Sequence, residues 1–410
     1  MRDVIVTQST ISRFPSPTRA CSFSVDASTG ARVYLTAGGV LTGVSRSGVV
    51  AFTARACAAD DPDGMSADDW FVAACAAESG GVFCARKSGV VTLVRTGDVD
   101  GVGSSARASA AELIGDVDVG LAAMAASPDG AAVALLTLDG NVVILSASSG
   151  DVVGECAWGA GSLAREERGF IAWTADARAL AVSAVPAAGP ATRKIYIFDV
   201  DSVGGPVRGR SARREDGRAL DVFAAAPPAW APSGNSFAAA LAPPSNGGVA
   251  GVGIFEANGL AHGSFILESS SSSLSSSSPS LSGAASAQPQ ALSSRVSWVG
   301  WSVGGGDSVV AVAVETEKRG VALQVWTRDA YRWGFSWETL VGDGSSTPSS
   351  ACFFEWDAEK PLRLHAAVHA RGEVQLRVFD FAHCFRVNDG GTMASVDGGC
   401  RIRLTVRLLT

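Results

Sequence analysis

Short apolar segments that occur in pairs, separated by polar turns, dominate the hydrophobic pattern of this chain. The clearest pair follows a turn at 127–130 (SPDG) and runs from 131 to 138. Residues 139–141 (DGN) are then a hairpin signal, because glycine adopts positive φ at no steric cost, and residues 142–145 return. This pattern predicts two antiparallel β-strands.

The same two-strand unit recurs along the chain, giving seven predicted pairs. They are 32–37 with 49–52, 81–86 with 90–94, 131–138 with 142–145, 178–185 with 194–198, 236–242 with 252–255, 308–315 with 321–326, and 362–370 with 373–379. Return strands begin at Val90, Val142 and Lys194, 52 residues apart each time, slightly more than the roughly 40–50 residues of a propeller blade. Later steps of 58 and 69 residues require insertions, which we assign to 204–217 and to a Ser-rich tract.

Many short strands with little helical signal predict an all-β fold. The best helical candidate, 161–169, is short and charged. Seven copies of one unit favour a seven-bladed β-propeller, because radial repetition leaves only short sheet edges. We expect residues 1–410 to form a single domain.

The ring needs a closing strand. Residues 401–409 alternate between polar and apolar side chains, as a half-buried strand does. Either this segment or Val4, Ile5 and Val6 is expected to close the ring by pairing the two chain ends.

Residues 268–294 form the Ser-rich tract, which has too little apolar surface to offset its ordering entropy. We expect one disordered loop between two blades. It is either a neutral insertion, since loop closure costs rise slowly with length, or a phosphorylated regulatory loop.

We expect the protein to stay inside the cell, and the sequence gives no sign of membrane insertion. The first residues lack the apolar region and cleavage site of a signal peptide, and no stretch reaches the ~20 apolar residues of a membrane helix. Eight cysteines without a CxxC pair suggest reduced thiols. The net charge of −7 gives no overall attraction for nucleic acid.

No motif predicts a catalytic, cofactor or metal site. His365 and His369 have a zinc-like spacing, but on a strand they lie about 13 Å apart, too far for one ion. There is no G-x-S-x-G elbow, and residues 304–307 (GGGD) lack the Lys-Ser/Thr and the helix of a phosphate loop, so we predict a turn there.

One basic segment and a set of tryptophans remain. Arg208, Arg210, Arg213 and Arg214 lie on a Gly-rich stretch without aromatic neighbours, which favours a solvated loop over direct RNA contact. Several tryptophans recur near blade starts, where aromatic side chains are expected to fill the space between sheets. They are Trp158, Trp173, Trp230, Trp301 and Trp356.

The sequence resembles a known family. The turn at 127–130 and the strand ends Phe198-Asp199 and Phe379-Asp380 are similar to a degenerate WD40-like propeller. More specifically, 229–234 (AWAPSG), 254–263 (IFEANGLAHG), 323–326 (LQVW) and 361–365 (PLRLH) occur in an order that resembles the largest, scaffold subunit of the Elongator complex. The Met1-Arg2-Asp3 start is also similar.

The resemblance implies a non-catalytic scaffold in a complex that modifies the wobble uridine of tRNAs, giving 5-carboxymethyl-type side chains. Other Elongator subunits are then the implied partners, including the catalytic subunit that uses acetyl-CoA and radical S-adenosylmethionine chemistry. Contact with tRNA would be indirect, and neither a membrane nor a small-molecule substrate is implied. The family's dimerisation region and tRNA-contacting segment lie further downstream, so self-dimerisation is not expected of residues 1–410. The implied location is the cytoplasm, with the nucleus as a second site.

Two alternatives stay open. A generic WD40-like adaptor would have the same fold and unrelated partners. A propeller enzyme would need acidic or histidine ligands that converge on the central channel.

Overall fold

The computed structural model describes most of the chain. The described residues are 3–15, 20–25, 31–57, 69–77, 81–95, 111–159, 161–189, 192–201, 204–207, 209–218, 220, 223–243, 250–267, 294–303, 307–316, 320–329, 332–341, 352–370, 372–386, 392–397 and 402–406. Their regular structure is entirely β, in thirty strands. None of these residues belongs to a helix, so none contributes a membrane-spanning helix.

The strands form seven antiparallel sheets, which are the predicted seven blades of a β-propeller. Blade 1 contains β2 (Ala20–Val25), β3 (Arg32–Thr36), β4 (Val40–Val44) and β5 (Val50–Arg55). Blade 2 contains β6 (Phe71–Ala77), β7 (Gly81–Arg86), β8 (Val90–Arg95) and β9 (Glu112–Asp116). Blade 3 contains β10 (Leu121–Ala126), β11 (Ala132–Thr137), β12 (Asn141–Ser146) and β13 (Val152–Ala157). Blade 4 contains β14 (Phe170–Trp173), β15 (Ala179–Ala184), β16 (Lys194–Asp199) and β17 (Arg210–Ser211). Blade 5 contains β18 (Ala229–Trp230), β19 (Ser236–Leu241), β20 (Gly251–Glu256) and β21 (Ala261–Ile266). Blade 6 contains β22 (Ser294–Trp301), β23 (Val309–Thr316), β24 (Gly320–Asp329) and β25 (Arg332–Leu340). Blade 7 contains β26 (Cys352–Trp356), β27 (Arg363–Ala370), β28 (Glu373–Arg386) and β1 (Asp3–Pro15), and its sheet also includes β29 (Thr392–Asp397) and β30 (Ile402–Val406).

Six of the seven predicted pairs are confirmed as the second and third strands of blades 2 to 7. The first pair is wrong, because β3 pairs with β4 rather than with 49–52, which falls largely in β5. The pattern of β4 is a weak strand signal, because Gly43 interrupts its apolar run. The glycine is required here, since an added Cβ would lie 2.1 Å from the Phe52 ring.

The N-terminal strand closes the ring. β1 pairs antiparallel with β28, from Asp3 opposite Cys384 to Pro15 opposite Glu373, so the prediction for Val4, Ile5 and Val6 is confirmed. The C-terminal segment does not close the ring, because β30 pairs with β29, which in turn pairs with the far end of β28. Both chain ends nevertheless belong to one sheet.

The hydrophobic core is a ring of separate clusters, one at each of the seven interfaces between adjacent blades. A single blade cannot bury its apolar faces, so each depends on its two neighbours. The smallest cluster lies between blades 7 and 1, where the described buried residues are Tyr34, Val44, Ala367, Val374 and Leu376. This interface is the closing seam of the ring.

Two further predictions concern the inserted segments. Most of the Ser-rich tract, 268–293, lies outside the described residues, and Ser294 already belongs to β22, so the disorder stays a prediction. The single domain 1–410 also stays a prediction. The segment 204–217 is not simply an insertion, because it supplies β17, the fourth strand of blade 4.

Candidate functional site

A central channel with a cavity volume of about 1140 Å³ passes between the innermost strands of all seven blades. These strands are β2, β6, β10, β14, β18, β22 and β26. Small side chains such as Ala74, Ala126 and Ala172 line much of the wall, and so the axis stays open where the seven wedges converge.

The two ends of the channel differ in chemistry. Every blade begins with its inner strand and zigzags outward, so all inner strands run in the same direction. We call the end where they begin the upper mouth and the end where they finish the lower mouth. The upper mouth carries charged side chains around Phe170, namely Glu167, Arg168, Arg193, Arg295 and Glu315.

Arg193 is the buried member of the upper mouth, with a side chain that is 3% exposed. It donates to the Ser183 carbonyl at 3.2 Å and to Glu167 Oε2 at 3.3 Å, and its guanidinium lies 5.1 Å from the centroid of the Phe170 ring. Burial lowers the pKa of Arg193, Glu167 opposes this shift, and the nearby charge of Arg295 lowers it further. Arg193 and Arg295 therefore repel each other within the mouth.

Arg168 also packs over the Phe170 ring. Its guanidinium is 5.8 Å from the Phe170 centroid and donates to the Val72 carbonyl of blade 2 at 2.9 Å. Cation–π contacts and the hydrogen bond both restrict the side chain. Phe170 thus contacts the guanidinium groups of both Arg168 and Arg193.

The lower mouth is aromatic. Trp173 and Trp230 end the inner strands of blades 4 and 5, and each donates its Nε1–H to an inner-strand carbonyl of the preceding blade, Ala125 O at 3.2 Å and Ala172 O at 3.0 Å. Trp301 and Trp356 occupy the corresponding ends in blades 6 and 7, and both are buried. The expectation that these tryptophans pack between sheets is confirmed by their positions in the inter-blade clusters.

Glu355 links blade 7 to blade 1 at the lower part of the channel. Its Oε2 accepts a hydrogen bond of 2.7 Å from the Val25 amide of blade 1, 330 residues away in the chain. Burial raises the pKa of Glu355 to about 8, the hydrogen bond from Val25 opposes the rise, and the charge of Asp357 adds to it. A large fraction of this carboxyl group is therefore neutral at pH 7.

His365, the candidate from the zinc-like spacing, has a structural partner instead. Its Nε2 lies 3.0 Å from Asp357 Oδ2, and both side chains are at most 3% exposed. Burial opposes ionisation of Asp357, but hydrogen bonds from His365 and from the amides of Lys360 and Glu359 outweigh it and hold the Asp357 pKa well below its usual range. Burial lowers the pKa of His365, and the hydrogen bond and charge of Asp357 oppose this shift.

His369 follows on the same strand, β27. Within the described part of the chain, no three His, Cys, Asp or Glu side chains are arranged to hold a metal ion.

Comparison with known proteins identifies the fold family. The family model described as ELP1 first N-terminal beta-propeller matches residues 153–359, just over half of the chain. The chain belongs to this family. Among solved structures, it is similar to the β-propeller domain of Cps50 (Swd1) from Myceliophteria thermophila, at 12% identity and a TM-score of 0.48, covering 76% of this chain and 84% of that one. No curated protein matches the sequence.

The family match confirms the Elongator resemblance and covers three of its four main signature segments. In this ELP1-type propeller, the signature turn at Glu256–Leu260 joins β20 to β21 and is fastened by Asn258 Oδ1, which accepts from the Leu260 amide at 2.8 Å. Gly259 has φ +87°, and an added Cβ would lie 2.9 Å from the Ser211 carbonyl of blade 4. The turn therefore requires glycine so that blades 4 and 5 can pack closely.

The basic segment packs against this turn. Arg213 donates its amide to the Gly259 carbonyl at 2.8 Å and accepts from the Ala261 amide at 2.9 Å. Arg210 is neutralised by a bidentate pair with Asp199, at 2.6 and 2.8 Å, and Arg208 lies outside the described residues. The Arg213 and Arg214 side chains are exposed, which leaves a smaller basic surface than the sequence suggested.

The structure also brings together groups that the sequence analysis did not connect. Cys21, Cys57 and Cys75 lie near Cys84, and burial raises the pKa of Cys84 well above its usual value and that of Cys75 to about 12. Such thiols are poor nucleophiles. None of the cysteines in the described part of the chain forms a disulfide bond. The predicted turn at 304–307 is described only at Asp307, which accepts a hydrogen bond from the Ser233 hydroxyl.

Proposed function

We propose that this chain is a non-catalytic scaffold propeller of the Elongator complex and that it supports modification of the wobble uridine in tRNA. The observation that carries this proposal is membership of the ELP1 first-propeller family. We infer that its partners are other Elongator subunits, including the one that performs the acetyl-CoA and radical chemistry. Its contact with tRNA is then indirect, and its location is that of the complex, in the cytoplasm and nucleus.

The architecture supports a role in holding partners. Seven inter-blade clusters make a closed ring whose blades brace one another, and rigid scaffolds with exposed strands and loops suit protein recognition. The outer strands of blades 2, 3 and 5 expose apolar side chains, namely Leu113 at 58%, Val152 at 62% and Ile266 at 70%. Such residues on a rigid perimeter offer contact area to neighbouring subunits.

Affinity purification tests the partner assignment. The tagged chain is expressed in its host, and co-purifying proteins are identified by mass spectrometry, with an unrelated propeller as the control bait. We expect Elongator subunits with the tagged chain and none with the control. Recovery of other proteins without any Elongator subunit would favour the generic WD40-like adaptor.

Nucleoside analysis of tRNA tests the proposed process. Removing the gene for this chain is expected to lower 5-carboxymethyl-type uridines at the wobble position, and re-expression should restore them. Unchanged levels of these nucleosides in the deletion strain would refute the link to tRNA modification, even if Elongator subunits co-purify.

A further inference from the structure

The upper mouth of the channel has an excess of positive charge that the fold does not need for closure. Three arginines, Arg168, Arg193 and Arg295, face two carboxylates, Glu167 and Glu315. The other two charged residues that line the channel, Asp129 and Glu355, belong to its lower part. The positive charge of the cavity is therefore confined to the upper mouth, because burial keeps much of Glu355 neutral.

Two of the three guanidiniums are preorganised. Arg193 is held by the Ser183 carbonyl, by Glu167 and by the face of Phe170, and Arg168 is held against the same ring by the Val72 carbonyl. Groups that are already fixed lose little rotamer entropy when a ligand binds. Arginine also presents its N–H donors in a planar fork that fits a carboxylate.

Arg295 is exposed, as Arg168 is, and it forms no ion pair with any described carboxylate. It stands opposite Glu315 in the register of β22 and β23, and it is close enough to Arg193 to lower that residue's pKa. An incoming anion that lies between Arg193 and Arg295 would replace repulsion with two attractive contacts.

The size and charge of the molecule favour a peptide as the occupant. The cavity of about 1140 Å³ slightly exceeds the roughly 300–1,000 Å³ typical of small-molecule sites. A long polyanion such as RNA would meet a protein with a net charge of −7. A short acidic segment meets only the local positive charge of the mouth.

We propose that the upper mouth binds an acidic, extended segment of a partner protein, with Arg168, Arg193 and Arg295 as the residues that recognise its carboxylates. The site lies on the axis of the propeller, where inner strands of different blades are close enough for one segment to contact several of them. This proposal goes beyond the scaffold function and does not depend on which complex supplies the partner.

Fluorescence anisotropy of the full-length purified chain tests the proposal. The probe is a labelled ten-residue peptide of alternating Glu and Ser, compared with its Gln-Ser counterpart in about 0.1 M salt, where the Debye length is about 10 Å. We expect the Glu peptide to bind and the Gln peptide to bind at least about tenfold more weakly, because the Gln peptide lacks charge-assisted hydrogen bonds.

Arg295→Glu is the informative variant, since its exposed side chain can be reversed in charge without disturbing the core. We expect at least about tenfold weaker binding of the Glu peptide, as attraction is replaced by repulsion. Arg178→Glu is the matched control, because Arg178 is 85% exposed in the turn at the opposite end of blade 4. It should change affinity by less than about twofold, and circular dichroism confirms that both variants are folded.

Four results would overturn the proposal. They are no binding up to about 1 mM peptide, equal binding of the Gln peptide, equal loss of affinity in both variants, and tighter binding of an oligouridine that is also lost in Arg295→Glu. The last result would assign the mouth to RNA. The assay contains no Elongator subunit, so its failure is separate from failure of the scaffold assignment.

Discussion

Glu355 is expected to make the stability of the ring depend on pH in an unusual direction. Its carboxyl group lies at the seam between blades 7 and 1, where the apolar cluster is smallest, and accepts from the Val25 amide. Its pKa is raised from 4.5 to about 8, mainly by burial. Because the folded state holds this proton more tightly than the unfolded state, the contribution of Glu355 to stability is fully present below pH 4.5 and is lost as the pH rises to about 8.

The magnitude follows from the same shift. A carboxyl pKa raised from 4.5 to about 8 corresponds to about 5 kcal/mol of unfolding free energy lost over that range. Glu355 is only partly buried in the channel wall, so solvent screens part of this effect and we expect about 2–3 kcal/mol. Glu355→Gln keeps an acceptor for the Val25 amide and removes the ionisation.

Urea unfolding of the wild-type chain and of Glu355→Gln, measured from pH 5 to pH 9, tests this reasoning. We expect similar stability at pH 5 and a variant that is more stable than wild type at pH 9. The Asp357–His365 pair is present in both proteins, so its pH dependence cancels in the difference between their free energies of unfolding. That difference therefore reports on Glu355 alone. Glu359→Gln is the control, since Glu359 is 50% exposed and pairs with Arg46 at the surface. A stability difference between wild type and Glu355→Gln that is the same at every pH would refute the argument.

Three further changes test the closure and packing of the ring. Deleting residues 3–15 removes β1 and leaves the edge of β28 unpaired. We therefore expect the deletion variant to aggregate, as measured by size-exclusion chromatography. A monomer with an unchanged melting temperature would contradict the role of β1. Trp230→Phe removes the bond to Ala172 and should cost about 1–3 kcal/mol in denaturant unfolding, whereas Trp70→Phe, at a residue that is 42% exposed, should cost less than about 0.5 kcal/mol. Asp357→Asn should lower the free energy of unfolding by about 2–4 kcal/mol at pH 7. This loss should shrink below pH 3.8, because a carboxylate whose pKa is lowered in the folded state stabilises the fold only above its unfolded-state pKa. A loss that stays constant down to pH 3 would argue against an ionised Asp357.

Local pattern was sufficient for the second and third strands of six blades. In these pairs an apolar run, a tight turn and a second apolar run are contiguous, as in β11 and β12 around Gly140. Hairpins of this kind depend on turn chemistry and on residues close in sequence. The outer strands were harder to predict, because β9 and β13 are largely exposed and β17 has only two residues.

The candidate site was much less predictable than the blades. Arg168, Arg193 and Arg295 are separated by many residues, and none belongs to a motif. They meet because equivalent strand ends of blades 4 and 6 are carried to the same mouth of the channel. The bond between Glu355 and Val25 likewise joins the last blade to the first.

By itself, the sequence determined the all-β class, the repeat of seven hairpins and, through its ordered signature segments, the Elongator family. Only the tertiary structure decided that β1 rather than the C-terminal segment closes the ring, that His365 pairs with Asp357, and that three distant arginines share one mouth. The physical reason is that hairpins form from neighbouring residues, whereas closure and the channel depend on how seven wedges pack around a common axis.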